Sequence, residues 1–350
     1  MVGAVFVRDA IIIGRGWHHR AGEPHAEIEA LRDAAAKRQT ARGAVLYVTL
    51  EPCSTHGRTP PCVDAIIAAG IKKVVVAATD PNPAHSGRGF EILRRAGIEV
   101  ESGILANSAT ELNETFNHWI VHRRPFVTLK AGMTLDGKIA TPEGESKWIT
   151  SPLARAEGMK LRGRHDAILA GIETVLKDDP SLTWRPGTGV RSNARPPLRR
   201  VILDSRARLP LHSKVASDEL KAATTVFVTA AAPQTRVKAL GRHVRVEVAP
   251  EKEGRVDIGW ILNRLGGENV TSLLVEGGGE VHGAFVDAGL AQRVVFFYAP
   301  IILGGSRARP AVGGRGVPSL GVAPRLERIR WKRLGPDLML TARIRPGEPA

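Results

Sequence analysis

The chain carries two cysteines in its 350 residues, and both fall in one stretch, Thr49-Leu-Glu-Pro-Cys53-Ser-Thr-His-Gly-Arg-Thr-Pro-Pro-Cys62. A proline stands directly before each, and Pro24-His25-Ala26-Glu27 lies upstream. One imidazole and two thiolates make three protein ligands for Zn2+. Three ligands leave the fourth tetrahedral position open, which marks a catalytic rather than a structural site. The fold must then bring residues 25, 53 and 62 together. Glu27, two residues from His25, is placed to handle protons at a zinc-bound water. Other readings exist for each residue. A free cysteine is most often a small buried hydrophobe, and a histidine near a helix start is commonly a polar cap. A disulfide fits poorly, because a chain with two cysteines and no signal peptide looks cytosolic and reduced. The zinc reading uses both cysteines and supplies a base.

Zinc-dependent base deaminases combine H-x-E with P-C-x-x-C. Here eight residues separate the cysteines rather than two. A bare C-x8-C is a weak signal; His-Ala-Glu upstream and a proline before each cysteine make it specific.

The length suggests two domains, or three. Net charge is +15, with Lys+Arg 50 against Asp+Glu 35. Such an excess favours anionic partners, whether phosphorylated metabolites, a dinucleotide or nucleic acid. A solvated, Arg-rich surface accounts for it equally well. No apolar run reaches the length of a membrane span. Met1-Val-Gly-Ala-Val lacks the basic region and apolar core of a signal peptide.

Residues 2–122 read as an α/β layer. Val2–Val7 and Ile11–Gly14 are apolar runs around Arg8-Asp9, a hairpin signal. His25–Arg38 has helical spacing with Ile28, Leu31 and Ala35 on one face. Strands are expected at Ala44–Leu50, Lys73–Ala77 and Ile98–Glu101, and helices at Cys62–Ala69, Gly89–Ala96 and Leu105–Arg123. Pro61 suits a first helical position, which puts Cys62 at a helix N-terminus, where the dipole favours a thiolate. Asp80-Pro-Asn-Pro83 is a rigid polar loop at a strand end.

His25-Ala-Glu27, Leu50-Glu-Pro-Cys53, His56-Gly-Arg-Thr-Pro-Pro-Cys62 and Asp80-Pro-Asn-Pro83 resemble the deaminase half of the bifunctional riboflavin biosynthesis deaminase/reductase family. The likeness continues past Arg123-Arg-Pro-Phe. Leu129-Lys-Ala-Gly-Met-Thr-Leu-Asp-Gly, Asp166-Ala-Ile-Leu-Ala-Gly and Lys177-Asp-Asp-Pro are similar to the reductase half. So is Ser272-Leu-Leu-Val-Glu276, which runs into Gly277-Gly-Gly279 and a helix over Glu280–Ala288. Strand, glycine turn and helix form a phosphate cradle in α/β proteins, although a turn with no ligand is the commoner case. The pattern is not the G-x-G-x-x-G of a Rossmann fold. Elsewhere in this half, Ser151-Pro152 reads as an N-cap and first turn, and Pro186–Pro197 as a mobile loop.

The resemblance implies an α/β chain with a cytidine-deaminase-like three-layer domain over 1–122 and a dihydrofolate-reductase-like domain over 123–350. It implies hydrolytic deamination of 2,5-diamino-6-ribosylamino-4(3H)-pyrimidinone 5′-phosphate, then NADPH-dependent reduction of the ribosyl chain to ribityl. In the first site it makes His25, Cys53 and Cys62 the zinc ligands and Glu27 the catalytic base. His18, Arg58, Asp80 and Asn82 would line the substrate, Arg58 being equally readable as a surface charge. In the second, Ser146, Arg162, Leu182, Arg185 and Glu276 would face substrate. Gly132, Trp148, Thr174, Asp178, Ser205, Gly278 and Gly279 would face NADPH. Arg162 and Arg185 suit phosphate, which guanidinium binds bidentately. Trp148 and Leu182 are equally readable as plain core.

Family members carry an N-terminal helix and a Ser-Pro-Asn-Pro loop ahead of the Val-Gly-Ala-Val strand, at which this sequence begins; a weakened deaminase is therefore an expectation. A homo-oligomer in the cytoplasm is expected, acting on phosphorylated pyrimidines without nucleic-acid or membrane partners. The rival is a tRNA or other nucleic-acid base deaminase with an appended basic domain. It fits the charge but predicts a short C-x-x-C and leaves the reductase-like motifs unexplained.

Overall fold

The computed structural model describes residues 1–57, 59–185 and 196–345. Arg58 and most of the expected 186–197 loop lie outside the described residues. The chain divides into two compact units, Met1–His122 and Arg123–Ala350.

The N-terminal unit opens with a hairpin of β1 (Gly3–Arg8) and β2 (Ile11–Trp17). Its two-residue turn, Asp9-Ala10, takes positive φ at both positions (50° and 62°), as a turn matched to strand twist requires. Helix α1 (Ala26–Ala36), β3 (Val45–Leu50), α2 (Cys62–Ala68) and β4 (Lys73–Ala78) follow. Then come α3 (Arg88–Arg95), β5 (Glu99–Ser102), α4 (Ala106–Leu112) and α5 (Glu114–His122). The sheet order is β2-β1-β3-β4-β5, with β1 antiparallel to both neighbours and β3, β4 and β5 parallel. Phe6, Leu46, Val48, Val74 and Val76 pack with Ala26 and Ala30 of α1, Val63 and Ile66 of α2, and Phe90 and Leu93 of α3.

Two local expectations are corrected. The buried residues of α1 are Ala26, Glu27, Ala30 and Ala34; of the expected face Leu31 packs part-buried against the core, Ile28 is part-buried and Ala35 is exposed. Strand β2 runs so close that a Cβ on Gly16 would lie 2.3 Å from the Ala30 nitrogen, and only small residues fit there. The expected single helix over 105–123 is two helices. Asn113 leaves the helical range (φ −106°, ψ 14°), and its buried side chain accepts a hydrogen bond from the Met1 amino group.

The C-terminal unit contains β6 (Phe126–Thr134), β7 (Lys138–Ala140), α6 (Pro152–Arg162), β8 (Ala167–Gly171), α7 (Ile172–Asp178) and β9 (Arg199–Leu203). Next come α8 (Lys214–Ser217), β10 (Thr224–Val228), α9 (Gln234–Gly241), β11 (Arg245–Val248), β12 (Glu251–Lys252) and β13 (Arg255–Val256). The last elements are α10 (Ile258–Gly267), β14 (Ser272–Val275), α11 (Gly279–Asp287), β15 (Arg293–Ala299), β16 (Arg309–Pro310), β17 (Arg325–Leu334) and β18 (Asp337–Arg345).

Nine strands form one sheet in the order β11-β10-β9-β8-β14-β6-β15-β18-β17. Pairing is parallel from β11 to β15 and antiparallel at the last two junctions. Alternate residues serve opposite faces. Leu129, Leu169, Leu273 and Val275 pack with Ile261 and Leu265 of α10 and Phe285 of α11. Ile168, Ile202 and Val226 pack with Val175 of α7, Val215 of α8 and Leu240 of α9. Ser151 caps α6, accepting from the Ala154 N–H at 3.4 Å. The carboxyl ends of β8, β9 and β14 run into Gly171, Asp204-Ser205 and Gly277–Gly279, the end of a parallel sheet at which ligands are usually bound.

Candidate active sites

His25 is the N-cap of α1 in extended conformation, and its ring makes no capping bond. Its Nδ1 instead lies 3.2 Å from Cys62 Sγ and 3.4 Å from Cys53 Sγ. The three donor atoms lie within 4.8 Å of one another. Zinc bonds of 2.0–2.3 Å give tetrahedral edges of about 3.5–3.8 Å, so this nitrogen–sulfur set fits the ion. The other imidazole nitrogen, Nε2, faces Thr59 Oγ1 at 3.3 Å, a partner that fixes the ring for ligation through Nδ1. Cys62 opens α2, with Pro61 as N-cap rather than first helical residue, and its N–H donates to Cys53 Sγ at 3.2 Å. Hydrogen bonding from Cys62 holds the Cys53 thiol down to about 4. The same bond, with burial, pushes Cys62 up. A divalent ion bound here would deprotonate both sulfurs.

Glu27 sits in the first turn of α1, 3% exposed. Burial pushes its carboxyl up to about 7. That places it where it can both accept and return a proton near neutrality. His18 packs edge-on against His25 with ring centroids 5.1 Å apart, and its Nδ1 faces the Pro24 carbonyl oxygen at 3.1 Å. Asp80 is half-buried, and burial raises its carboxyl. Asp80 Oδ1 accepts from the Asn82 N–H at 2.9 Å, and Asn82 Oδ1 from the Ala84 N–H at 3.1 Å.

In the C-terminal unit one cavity of about 1750 Å3 is lined by every residue expected there. Ser146, Arg162, Leu182, Arg185 and Glu276 belong to it, as do Gly132, Trp148, Thr174, Asp178, Ser205, Gly278 and Gly279. Trp148, 69% exposed, stands in the wall with the Arg155 guanidinium 4.4 Å above its ring, so the core reading does not apply to it. Leu182 is 2% exposed and belongs to the core as well as the lining. Ser146 Oγ donates to Asp178 Oδ1 at 2.9 Å.

Arg162 is not the free phosphate clamp expected. Its Nε and Nη2 bind Glu276 and its Nη1 binds the Thr183 carbonyl. Arg185 lines the cavity with no side-chain partner among the described residues. Burial acts to raise Glu276, but Lys130 and Arg162 outweigh it and hold the carboxyl at about 2. Lys130 Nζ lies 3.5 Å from Glu276 Oε2. In the glycine triplet only Gly278 is open. A Cβ on Gly279 would meet the Pro310 carbonyl oxygen at 2.2 Å, and one on Gly277 would meet Val281 at 2.8 Å. Two of the three glycines therefore answer to packing.

Sequence reasoning missed Glu51, Thr59, His85 and Lys130. Glu51 is a buried acid directly before Pro52-Cys53. His85 faces Thr55 Oγ1 at 3.2 Å. Position in the cysteine stretch could have flagged Glu51 and Thr59; nothing local flags the other two.

These geometries define a class: an α/β unit with a His/Cys/Cys set beside a buried glutamate, followed by an α/β unit with a large cleft. A family model described as the cytidine and deoxycytidylate deaminase zinc-binding region matches residues 1–78. One described as the RibD C-terminal domain matches residues 125–340. The riboflavin biosynthesis protein RibD of Bacillus amyloliquefaciens is 42% identical over 348 residues, covering 99% of this chain and 91% of that protein. The solved Acinetobacter baumannii RibD, form 1, has a TM-score of 0.85 and 36% identity, covering 98% of this chain and 92% of that one. A Thermotoga maritima structure described as a diaminohydroxyphosphoribosylaminopyrimidine deaminase/5-amino-6-(5-phosphoribosylamino)uracil reductase has a TM-score of 0.82 and 38% identity. It covers 99% of this chain and 91% of that one. The chain belongs to the RibD family of riboflavin biosynthesis, in which a deaminase and a reductase are joined. The nucleic-acid deaminase alternative is not favoured.

Proposed function

We propose that the N-terminal unit deaminates 2,5-diamino-6-ribosylamino-4(3H)-pyrimidinone 5′-phosphate with zinc, and that the C-terminal unit reduces the product's ribosyl chain with NADPH. The observation that carries the first half is the convergence of His25, Cys53 and Cys62 beside buried Glu27. Zinc would be held by His25, Cys53 and Cys62 and would supply an activated water, since coordination lowers the pKa of water from about 15.7 to about 7. Glu27, buried beside this set, is the residue that would accept a proton and return one to the leaving amine. His18, Asp80 and Asn82 surround the pyrimidine, and Arg58 takes the phosphate.

For the second half, NADPH held in the cleft would supply a hydride to the sugar carbon. The protein's part is to hold the two reactants in near-attack geometry. Gly278 leaves the N-terminus of α11 open to the cofactor's phosphates. Thr174, Asp178, Ser205, Gly132 and Trp148 line its path. Arg185 takes the substrate phosphate, and Glu276, fixed by Arg162 and Lys130, presents a permanent carboxylate to the sugar.

Among the described residues no helix is long and apolar enough to cross a membrane. The reading is of a cytoplasmic enzyme with no nucleic-acid or membrane partner. Self-association belongs to it: edge strand β17 is exposed along nearly its whole length, with Leu326, Ile329 and Trp331 open to solvent. The test is incubation with the diamino substrate and NADPH, following ammonia release and NADPH loss separately. Absence of either activity removes the corresponding half.

A further inference from the structure

Glu51 has no part in the chemistry above, yet it is 4% exposed. A buried carboxylate is costly unless its oxygens are satisfied. Among the described residues no cation pairs with it. Three backbone N–H groups donate to it instead: Asp80 to Oε2 at 3.1 Å, Gly87 to Oε2 at 3.0 Å and Gly89 to Oε1 at 2.9 Å. Asp80 and Gly87 belong to the segment joining β4 to α3 and Gly89 to the first turn of α3, and charge-assisted bonds of this kind are the strong ones. The segment also docks at backbone contact. A Cβ on Gly89 would lie 2.5 Å from the Pro52 carbonyl oxygen, so no side chain fits between segment and turn.

On one side, then, Glu51-Pro52 leads directly into Cys53. On the other, the segment held by Glu51 carries Asp80 and Asn82. Their carboxylate and amide oxygens bind their own segment's backbone, so they point where that backbone points. We propose that Glu51 is a positioning residue of the deaminase: its carboxylate clamps segment 80–89 to the turn bearing Cys53 and thereby sets Asp80 and Asn82 against the pyrimidine. The inference rests on the deaminase reading above.

The test compares Glu51→Gln and Glu51→Asp in the full chain. Gln presents an amide N–H2 where only an acceptor fits, and Asp keeps the charge but is one carbon short. Four quantities are read: zinc per chain, amide hydrogen exchange in peptides spanning 80–89, deaminase kcat and KM, and NADPH oxidation on deaminated substrate. For Glu51→Gln, zinc and reductase stay at wild-type values and exchange in 80–89 accelerates. KM rises roughly ten- to a hundredfold with a smaller fall in kcat, as the loss of one or two substrate contacts implies. Glu51→Asp recovers part of the KM. Phe6→Leu, a core change in β1, lowers the melting temperature while leaving KM and 80–89 exchange in place.

Unchanged exchange in Glu51→Gln overturns the clamp. So does an unchanged KM, zinc loss that tracks activity, or an equal KM rise in Phe6→Leu. A wild-type chain that releases no ammonia defeats the deaminase reading instead, and the exchange data then decide the clamp by themselves.

Discussion

Arg162 and Glu276 form a two-bonded ion pair, Nε to Oε1 and Nη2 to Oε2 both at 2.9 Å, in the wall of the reductase cleft. The carboxyl's folded value of about 2 lies below its ordinary 4.5. A depressed carboxyl contributes stability above its unfolded pKa and loses it as pH falls through the folded one. The window is therefore pH 4.5 down to about 2, and the contribution is on the order of 3 kcal/mol. Glu276→Gln should flatten the acid limb of the C-terminal unit's denaturation curve over that window. Glu276→Ala, which takes the carboxylate away from two half-buried cations, should cost about 1–3 kcal/mol in urea unfolding at pH 7. An acid limb unaltered in Glu276→Gln would show that the pair does not titrate with folding.

Glu27 is not a zinc ligand, so Glu27→Gln should retain one zinc per chain and still lose deamination by roughly 10²–10⁴-fold. NADPH oxidation on supplied deaminated substrate should continue at the wild-type rate. Substantial ammonia release by the variant would remove Glu27 from the proton path.

Chelation should abolish deamination, spare the reductase and expose the chain's two thiols to alkylation. They should react unequally. Cys53 is half-buried and held low, while Cys62 is buried and pushed up. At pH 7 a haloacetamide should label the Cys53 peptide well before the Cys62 peptide, as mass spectrometry can follow. Equal labelling rates would mean that the two thiols do not differ in this way in the metal-free protein.

The candidate zinc site was legible because thiols are scarce: both cysteines of the chain fall in one stretch, and His25-Ala-Glu27 singles out one of its 11 histidines. Local signals were also sound at Ser151, which caps α6 as expected, while the hairpin expected around Arg8-Asp9 turns one residue later, at Asp9-Ala10. They failed where tertiary contact decides. The α1 face was misread because an alanine face packing on glycines carries little hydrophobic signal. Asn113, where the helix breaks, bonds a residue 112 positions away. Lys130 and Glu276 meet across 146 positions, and Glu51 meets backbone donors 29–38 positions on. The reductase lining came from resemblance alone, since no spacing rule connects Ser146, Asp178 and Ser205. Strands β15, β17 and β18 went unread; the arginines and lysines of β17 mask an alternation that is solvent-facing on both sides.

The chain divides into compact units at His122 and Arg123, and the two activities should be separable there. A fragment from about residue 123 onward should fold alone, bind NADPH and need no zinc, since its core is built from its own strands and helices. Calorimetric NADPH binding on the fragment checks this. Insolubility of every fragment beginning near 123 would mean that the halves depend on each other to fold.

Arg185 offers the sharpest test of substrate placement. Its side chain is exposed in the cleft and engages no partner among the described residues, whereas Arg162 is committed to Glu276. A guanidinium free to make two parallel bonds to phosphate should contribute affinity that an ammonium cannot reproduce. Arg185→Lys should therefore raise the reductase KM roughly tenfold, and Arg185→Met further, through loss of one or two charge-assisted bonds. NADPH affinity should stay constant in both. The decisive comparison uses the same deaminated substrate without its 5′-phosphate. If Arg185 binds that phosphate, wild type and Arg185→Met should process the dephosphorylated compound equally well, and added salt should erode only the wild-type advantage on the phosphorylated one. A penalty of the same size on both compounds would place Arg185 elsewhere than on the phosphate.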